Sequence, residues 1–189
     1  MNKQEFIRDY KKLFSQNNEF KIRFEMGGNI RSKKKRVKQV LTRFEEISNV
    51  VFMKKEIWVL LIIWDFKMDN NEKLIRLGFD IDLAKNYYFG KVNDGLIEMK
   101  YFDQEVLDEA EILYLEYGSY SFRDILPLVH SSAGFDLAME NTAGLSAYYI
   151  SFSKEPVLLN LYDDRGMELL SHDKKLIDSI SRKFSHYLL

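Results

Sequence analysis

Two adjacent carboxylates and an arginine stand together near the end of the chain. They are Asp163, Asp164 and Arg165, within the segment VLLNLYDDRGMELLS. Neighbouring carboxylates can bind Mg²⁺ or share a proton, so the trio could serve a hydrolase or nuclease-like enzyme. Such a site requires a cleft in which the three side chains meet Glu25 or a histidine. Because adjacent strand residues point to opposite faces and no third ligand is evident, we predict no metal site and no cofactor.

The same residues have the composition of a hairpin tip. Asp accepts hydrogen bonds from its own backbone, and Gly166 tolerates a positive φ. Residues 163–166 separate two short apolar runs, which predicts a tight turn between two strands. In this interpretation, which we favour, Arg165 pairs with one of the two Asp side chains and the turn needs no chemistry of its own.

The histidines and glycines offer no other catalytic centre. His130, His172 and His186 lack metal-ligand spacing, and the last two would lie about 21 Å apart along a helix. The chain contains no nucleophile elbow and no P-loop. The pair Gly27 and Gly28 lacks the spacing of a dinucleotide fingerprint and is predicted to form a turn into a helix. We therefore assign no catalytic residue.

Charge is segregated along the chain, although the net charge is only −1. Residues 1–60 hold 15 Lys and Arg against 7 Asp and Glu, whereas residues 61–189 hold 13 against 22. Such asymmetry is typical either of a binding surface or of two halves that face each other in the fold, and we favour the second.

The basic run RSKKKR, residues 31–36, places five cations at the start of a predicted helix. Cations there oppose the helix dipole, at a cost of about 0.3–1 kcal/mol each. Bound nucleic acid would offset that cost. The run contains no aromatic residue and the pI is only about 6.3, so nucleic-acid binding is the less favoured alternative to solvation or internal pairing.

Residues 103–116 form an acidic counterpart that contains no cation. Acidic surfaces flanked by aromatic residues can block basic nuclease sites by mimicking phosphate positions, and charge complementarity speeds association. An ordinary solvated helix face is the alternative. The predicted partner-binding residues are Asp103, Glu105, Asp108, Glu109, Glu111, Tyr114 and Glu116, with Asp163, Asp164 and Arg165 of the turn added.

Composition predicts a soluble cytoplasmic protein. Hydrophobic residues make up 46% of the 189 residues, and there is no Cys. The most apolar run, IWVLLIIW at residues 57–64, is far shorter than the roughly 20 residues of a membrane-spanning helix. The N-terminus has no apolar export segment.

Apolar periodicity predicts a single α+β domain over residues 1–189. We expect a mostly antiparallel sheet with helices on one side, and a C-terminal three-stranded meander followed by a helix. Pro127 predicts a kink or a late start in the third helix. The predicted helices are 3–15, 32–47, one around 122–129 and one from about 173; the predicted strands are 20–26, 57–66, 77–83, 112–117, 147–152, 157–162 and 167–170.

Both ends of the chain resemble an uncharacterised bacterial family of domains of unknown function. The C-terminal signature of that family is YDDRG, matched here at Tyr162, Asp163, Asp164, Arg165 and Gly166 in the region of about 145–189. Its upstream strand pattern is matched by RFEMG at residues 23–27. The resemblance implies little about activity. By analogy, small bacterial α+β families of this sort look like immunity proteins encoded beside secreted toxins.

We therefore expect a non-enzymatic interaction protein, specifically an immunity protein that neutralises a toxin domain by steric plugging and charge complementarity. Its partner would be a protein rather than nucleic acid or a membrane. The alternatives are an enzyme that uses the DDR turn and a nucleic-acid-binding protein that uses residues 31–36.

Overall fold

The helices and strands follow the apolar periodicity of the sequence. The structure is a computed structural model that describes residues 3–15, 20–63, 90–91 and 111–189. Its elements are α1 (Lys3–Ser15), β1 (Phe20–Glu25), α2 (Lys33–Val51), β2 (Glu56–Ile63), β3 (Gly90–Lys91), β4 (Glu111–Ser119), α3 (Phe122–Gly134), β5 (Leu145–Ser151), β6 (Val157–Leu161), β7 (Gly166–Ser171), α4 (Lys174–Lys183) and a 3₁₀ turn (Ser185–Tyr187).

All strand pairs in the described residues are antiparallel, in one sheet of order β1-β7-β6-β5-β2-β4-β3. Strands β5, β6 and β7 form the predicted meander, and α4 follows them, so the α+β prediction is confirmed. Strand β1 comes from the other end of the chain and pairs with β7, where Glu25 lies opposite Gly166. That register brings the end of β1 to the β6–β7 turn.

Strand β2 holds the centre of the sheet. It lies between β4 and β5, and its seven residues from Ile57 to Ile63 are all buried. A strand covered on both faces needs apolar side chains at every position, which is why this run does not alternate. The prediction of a central, doubly covered strand is confirmed.

Helices cover both faces of the sheet, so the expectation of helices on one side is wrong. Residues of α2, α3 and α4 share one apolar cluster with Ile57, Val59 and Leu61 of β2. Phe6 and Tyr10 of α1 pack on the other face against Trp58 and its neighbours. The alternating side chains of β2 leave two apolar faces, and one helical layer covers only one of them.

Two local predictions need correction. Helix α3 begins at Phe122 and runs through Pro127 to Gly134, so it does not start late and it extends past the predicted end near residue 129. Ser121 occupies the N-cap position, but its side chain makes no capping hydrogen bond. The predicted strand at 77–83 lies outside the described residues. None of the described helices combines the length and apolarity needed to cross a bilayer.

The hydroxyls of buried Tyr149 and half-buried Tyr120 differ in their partners, which predicts different effects of removing them. The Tyr149 hydroxyl is buried and has no hydrogen-bond partner among the described residues. The Tyr120 hydroxyl lies 2.6 Å from Oγ of the fully buried Ser48. We expect Tyr149→Phe to leave the free energy of unfolding unchanged or to raise it by about 1 kcal/mol, and Tyr120→Phe to lower it by about 1 kcal/mol. Urea denaturation measures both, and a Tyr149→Phe variant less stable than Tyr120→Phe would contradict the assignment.

Candidate functional site

The side chain of Asp163 organises the turn between β6 and β7. Its Oδ1 accepts hydrogen bonds from the backbone N–H of Arg165 at 2.7 Å and of Gly166 at 3.3 Å. Its Oδ2 accepts from Nε of Arg165 at 2.7 Å and also from Nη2. One carboxylate therefore closes the turn and holds the guanidinium, as the hairpin interpretation predicts.

Asp164 points instead toward the start of α2. Its Oδ2 forms an ion pair with Nε of Arg36, the last cation of the RSKKKR run. The Asp164 side chain is 7% exposed and that of Arg36 is 24% exposed. Burying a carboxylate to this extent is costly unless a cation lies beside it, so Arg36 is the group that compensates Asp164.

The turn after β1 packs closely against the β6–β7 turn, residues 163–166, which forms the tip of that hairpin. The backbone N–H of Met26 donates to the carbonyl of Arg165 at 2.9 Å. A Cβ at Gly27 would collide with the carbonyl oxygen of Asp164 and would lie 2.6 Å from Nε of Arg36. Only glycine fits this position, because the space that a side chain needs is filled by backbone. The chain then turns through Gly28, which has a φ of 56°.

Tyr162 closes the other side of the tip. Its hydroxyl accepts a 2.9 Å hydrogen bond from Nε of Arg23, whose guanidinium carbon lies 5.4 Å from the ring centroid. The ring also occupies the space that a Cβ at Gly166 would fill. The segment RFEMG covers the end of β1 and the start of the turn after it. Its Arg23 contacts Tyr162 of YDDRG, and its Gly27 contacts Asp164.

The arginine pKa values follow from these contacts. The hydrogen bond from Arg165 to Asp163 and the attraction between their charges raise the pKa of Arg165, with smaller contributions from Asp164 and Asp136. The hydrogen bond to Tyr162 raises the pKa of Arg23. Both guanidinium groups therefore stay charged at any physiological pH.

This geometry engages both carboxylates in contacts within the chain. Asp163 and Asp164 are each only 5% exposed and face different partners. No hydrogen bond or ion pair joins either of them to Glu25 or to a histidine in the described part of the chain. Among the residues described, no group of three His, Cys, Asp or Glu side chains could hold a metal ion.

Those predicted partner-binding residues that the structure describes lie in two places, strand β4 and the β6–β7 turn. Asp103, Glu105, Asp108 and Glu109 lie outside the described residues, and Glu111 begins β4. Tyr114 is half-buried and stacks on Phe6 at a centroid distance of 4.9 Å, so part of its ring serves the internal core. Glu116 is exposed on the same strand. In the turn, Arg165 alone is exposed, at 74% of its side chain.

Sequence reasoning identified Gly27 as a turn residue but did not connect Arg23, Met26, Gly27 and Arg36 with the DDR turn. One signal in the sequence could have suggested the pairing of Arg36 with Asp164. The basic run 31–36 and the acidic pair lie in halves of the chain that carry opposite net charge. Spacing along the chain could not give the pairing, since 139 residues separate Arg23 from Tyr162.

Gly27→Ala tests the close approach of tip and turn. We expect the free energy of unfolding to fall by about 1–3 kcal/mol, because the colliding atom is a backbone carbonyl that cannot swing away. Gly118→Ala is the matched control. Gly118 has a φ of 68° but open space around a Cβ, so only strain of about 1 kcal/mol is expected. A Gly27→Ala variant no less stable than Gly118→Ala would argue against the packing described.

A double-mutant cycle tests the ion pair between Arg36 and Asp164. We expect Asp164→Asn to lower the free energy of unfolding by about 1–3 kcal/mol, since the guanidinium of Arg36 then lacks its counter-charge. In the Asp164→Asn background, Arg36→Gln should lower the free energy of unfolding by less than it does in the wild-type chain. The coupling energy between the two residues should be about 1–2 kcal/mol. The exposed i,i+4 pair of Lys174 and Asp178 is the control, and its coupling should be below about 0.5 kcal/mol. Equal couplings for the two pairs would count against a structural role.

One family model spans almost the whole chain. It is described as "Domain of unknown function (DUF3885)" and matches residues 3–189. No curated protein and no solved structure matches the chain. The match extends from α1 through the central sheet to the last residue, and so includes both the β1 turn and the tip that contacts it. The chain therefore belongs to the DUF3885 family, an uncharacterised family of domains.

Proposed function

We propose that this protein acts by binding rather than by catalysis, as a cytoplasmic immunity protein that neutralises a cognate toxin domain. The observation that carries the proposal is the burial of Asp163 and Asp164. They are the carboxylate pair that a hydrolase would use, yet both are 5% exposed and bound to arginines of the same chain. Groups held in this way support the fold and are not open to a substrate.

The charge pattern of the sequence supports a protein partner. The acidic segment 103–116 carries six carboxylates and no cation, and its described end places Glu116 exposed on β4. A toxin that acts on nucleic acid has a basic active site, which an acidic segment can occupy in place of phosphates. The mechanism is steric plugging, with complementary charge accelerating the encounter.

We further infer that YDDRG and RFEMG together form the structural signature of this family. The two motifs lie at opposite ends of the chain but contact each other through the pairs Arg23–Tyr162 and Gly27–Asp164. A family that requires one motif for packing would require the other. In this proposal the signature marks the scaffold, and specificity for a partner resides in other segments, such as 103–116.

Co-expression tests the proposed function. The proposal predicts that a toxic domain is encoded in the reading frame next to this one, and that domain, produced in a bacterium under an inducible promoter, is the partner to use. We expect the wild-type chain to restore growth and to bind the purified domain. Neutralising Asp103, Glu105, Asp108 and Glu109 as the amides should slow association about tenfold, because the steering charge is removed. Stopped-flow mixing measures that rate.

The triple variant Lys33→Gln, Lys34→Gln and Lys35→Gln is the matched control, because it changes a similar number of charges in a different segment of the chain. Its association rate with the toxin domain should not fall. Failure of the wild-type chain to protect against the toxin would refute the proposal. An association rate that falls equally in the control would refute the role of the acidic segment.

A further inference from the structure

The guanidinium of Arg165 is exposed and yet held in one orientation. Its side chain is 74% exposed, whereas that of its partner Asp163 is 7% exposed. Asp163 is fixed in turn by the backbone N–H groups of Arg165 and Gly166. Two of the guanidinium nitrogens, Nε and Nη2, donate to Asp163. Arg165 has five N–H donors, so its remaining donors are free to bind an acceptor outside the chain.

Further cations lie at the start of α2, which the ion pair of Arg36 and Asp164 joins to the turn. Arg36 contacts Asp164 immediately before Arg165, and Lys33, Lys34 and Lys35 precede Arg36 on the first turn of α2. These three lysines and Arg31 are exposed and form no ion pair with any residue that the structure describes. We call Arg31, Lys33, Lys34, Lys35 and Arg165 the tip surface.

Nearby acids neutralise Arg165 in part but not the other cations of the tip surface. Asp163 is paired with Arg165, and Asp164 is paired with Arg36. Asp136 is the exposed acid close enough to act on Arg165. The first turn of α2 contains no acidic residue, so its lysines oppose the helix dipole without compensation from their own helix.

We propose that the tip surface binds an acidic protein segment, in which one carboxylate is gripped by Arg165 and others are attracted by the lysines of α2. A planar, pre-oriented guanidinium suits a carboxylate because two parallel hydrogen bonds can form without loss of side-chain freedom. Asp163 is the positioning residue, and Arg165 is the contact residue.

The overall charge favours a protein segment over nucleic acid. The chain has a net charge of −1, and residues 61–189 hold 22 acids against 13 bases. A long polyanion would therefore meet repulsion beyond the tip surface, whereas a short acidic segment would not. The tip surface adjoins β1 and β7 at one edge of the sheet, and β4 lies toward the other edge. The inference therefore does not rest on the proposed toxin binding.

Fluorescence anisotropy with a short, labelled poly-L-glutamate peptide tests the proposal. The full chain is expected to bind this probe at low ionic strength. Arg165→Lys keeps the charge but loses the planar fork, so we expect affinity to fall about tenfold, as for one lost charge-assisted hydrogen bond. The triple variant Lys33→Gln, Lys34→Gln and Lys35→Gln should weaken binding and flatten its dependence on salt.

The Asp163→Asn variant distinguishes the effect of the orientation of Arg165 on binding from the effect of charge. This change removes a negative charge, so simple attraction predicts tighter binding of poly-L-glutamate. Loss of the oriented guanidinium predicts weaker binding, which is the result we expect. Thermal unfolding establishes that the variant is folded. If it is not, Arg165→Lys decides, because that exposed side chain can change without loss of the fold.

Wild-type affinity in the Arg165→Lys variant, or tighter binding by a folded Asp163→Asn variant, would overturn the proposal. So would tighter binding of a single-stranded RNA of equal charge through the same residues, since nucleic acid would then be the better occupant. If the wild-type chain does not bind poly-L-glutamate, the tip-surface proposal is wrong. The toxin proposal would be unaffected, because it concerns the acidic segment and is measured with a different partner.

Discussion

The close approach of the β6–β7 tip to the turn after β1 is the constraint on which this end of the molecule depends. The carbonyl oxygen of Asp164 fills the space in which Gly27 would carry a side chain, and the carbonyl of Arg165 binds the N–H of Met26. The contact holds the end of β1 beside the C-terminal meander. Arg36, from a distant part of the sequence, lies beside Asp164 and forms an ion pair with it.

Burying two carboxylates at this contact is costly unless each is compensated, and the chain compensates them differently. Asp163 is satisfied almost entirely within its own turn, by two backbone N–H groups and the neighbouring arginine. Asp164 depends on a residue from the other end of the chain. The hydrogen bonds of Asp163 make a rigid turn, and the ion pair of Asp164 joins two distant segments of the chain. The pair that looks catalytic in the sequence therefore contributes to cohesion.

The segregation of charge along the sequence has two consequences in the fold. Part of it is neutralised internally, because Lys21 pairs with Glu168 across β1 and β7 while Arg36 pairs with Asp164. Other cations, those of the tip surface, are exposed, and Glu116 is exposed on β4. The tip surface lies toward the β1 edge of the sheet, and β4 lies toward the other edge.

The sequence by itself determined the α+β class, the central buried strand, the C-terminal meander and helix, and the hairpin character of the DDR turn. Each of these depends on neighbours a few residues apart, through apolar period, turn chemistry or local hydrogen bonds. Only the tertiary structure decided that α1 covers the second face of the sheet, that Tyr114 packs on Phe6, and that Arg23, Gly27 and Arg36 meet the tip. Those contacts join residues far apart in the chain, and a one-dimensional pattern carries no information about which distant groups the folded sheet brings together.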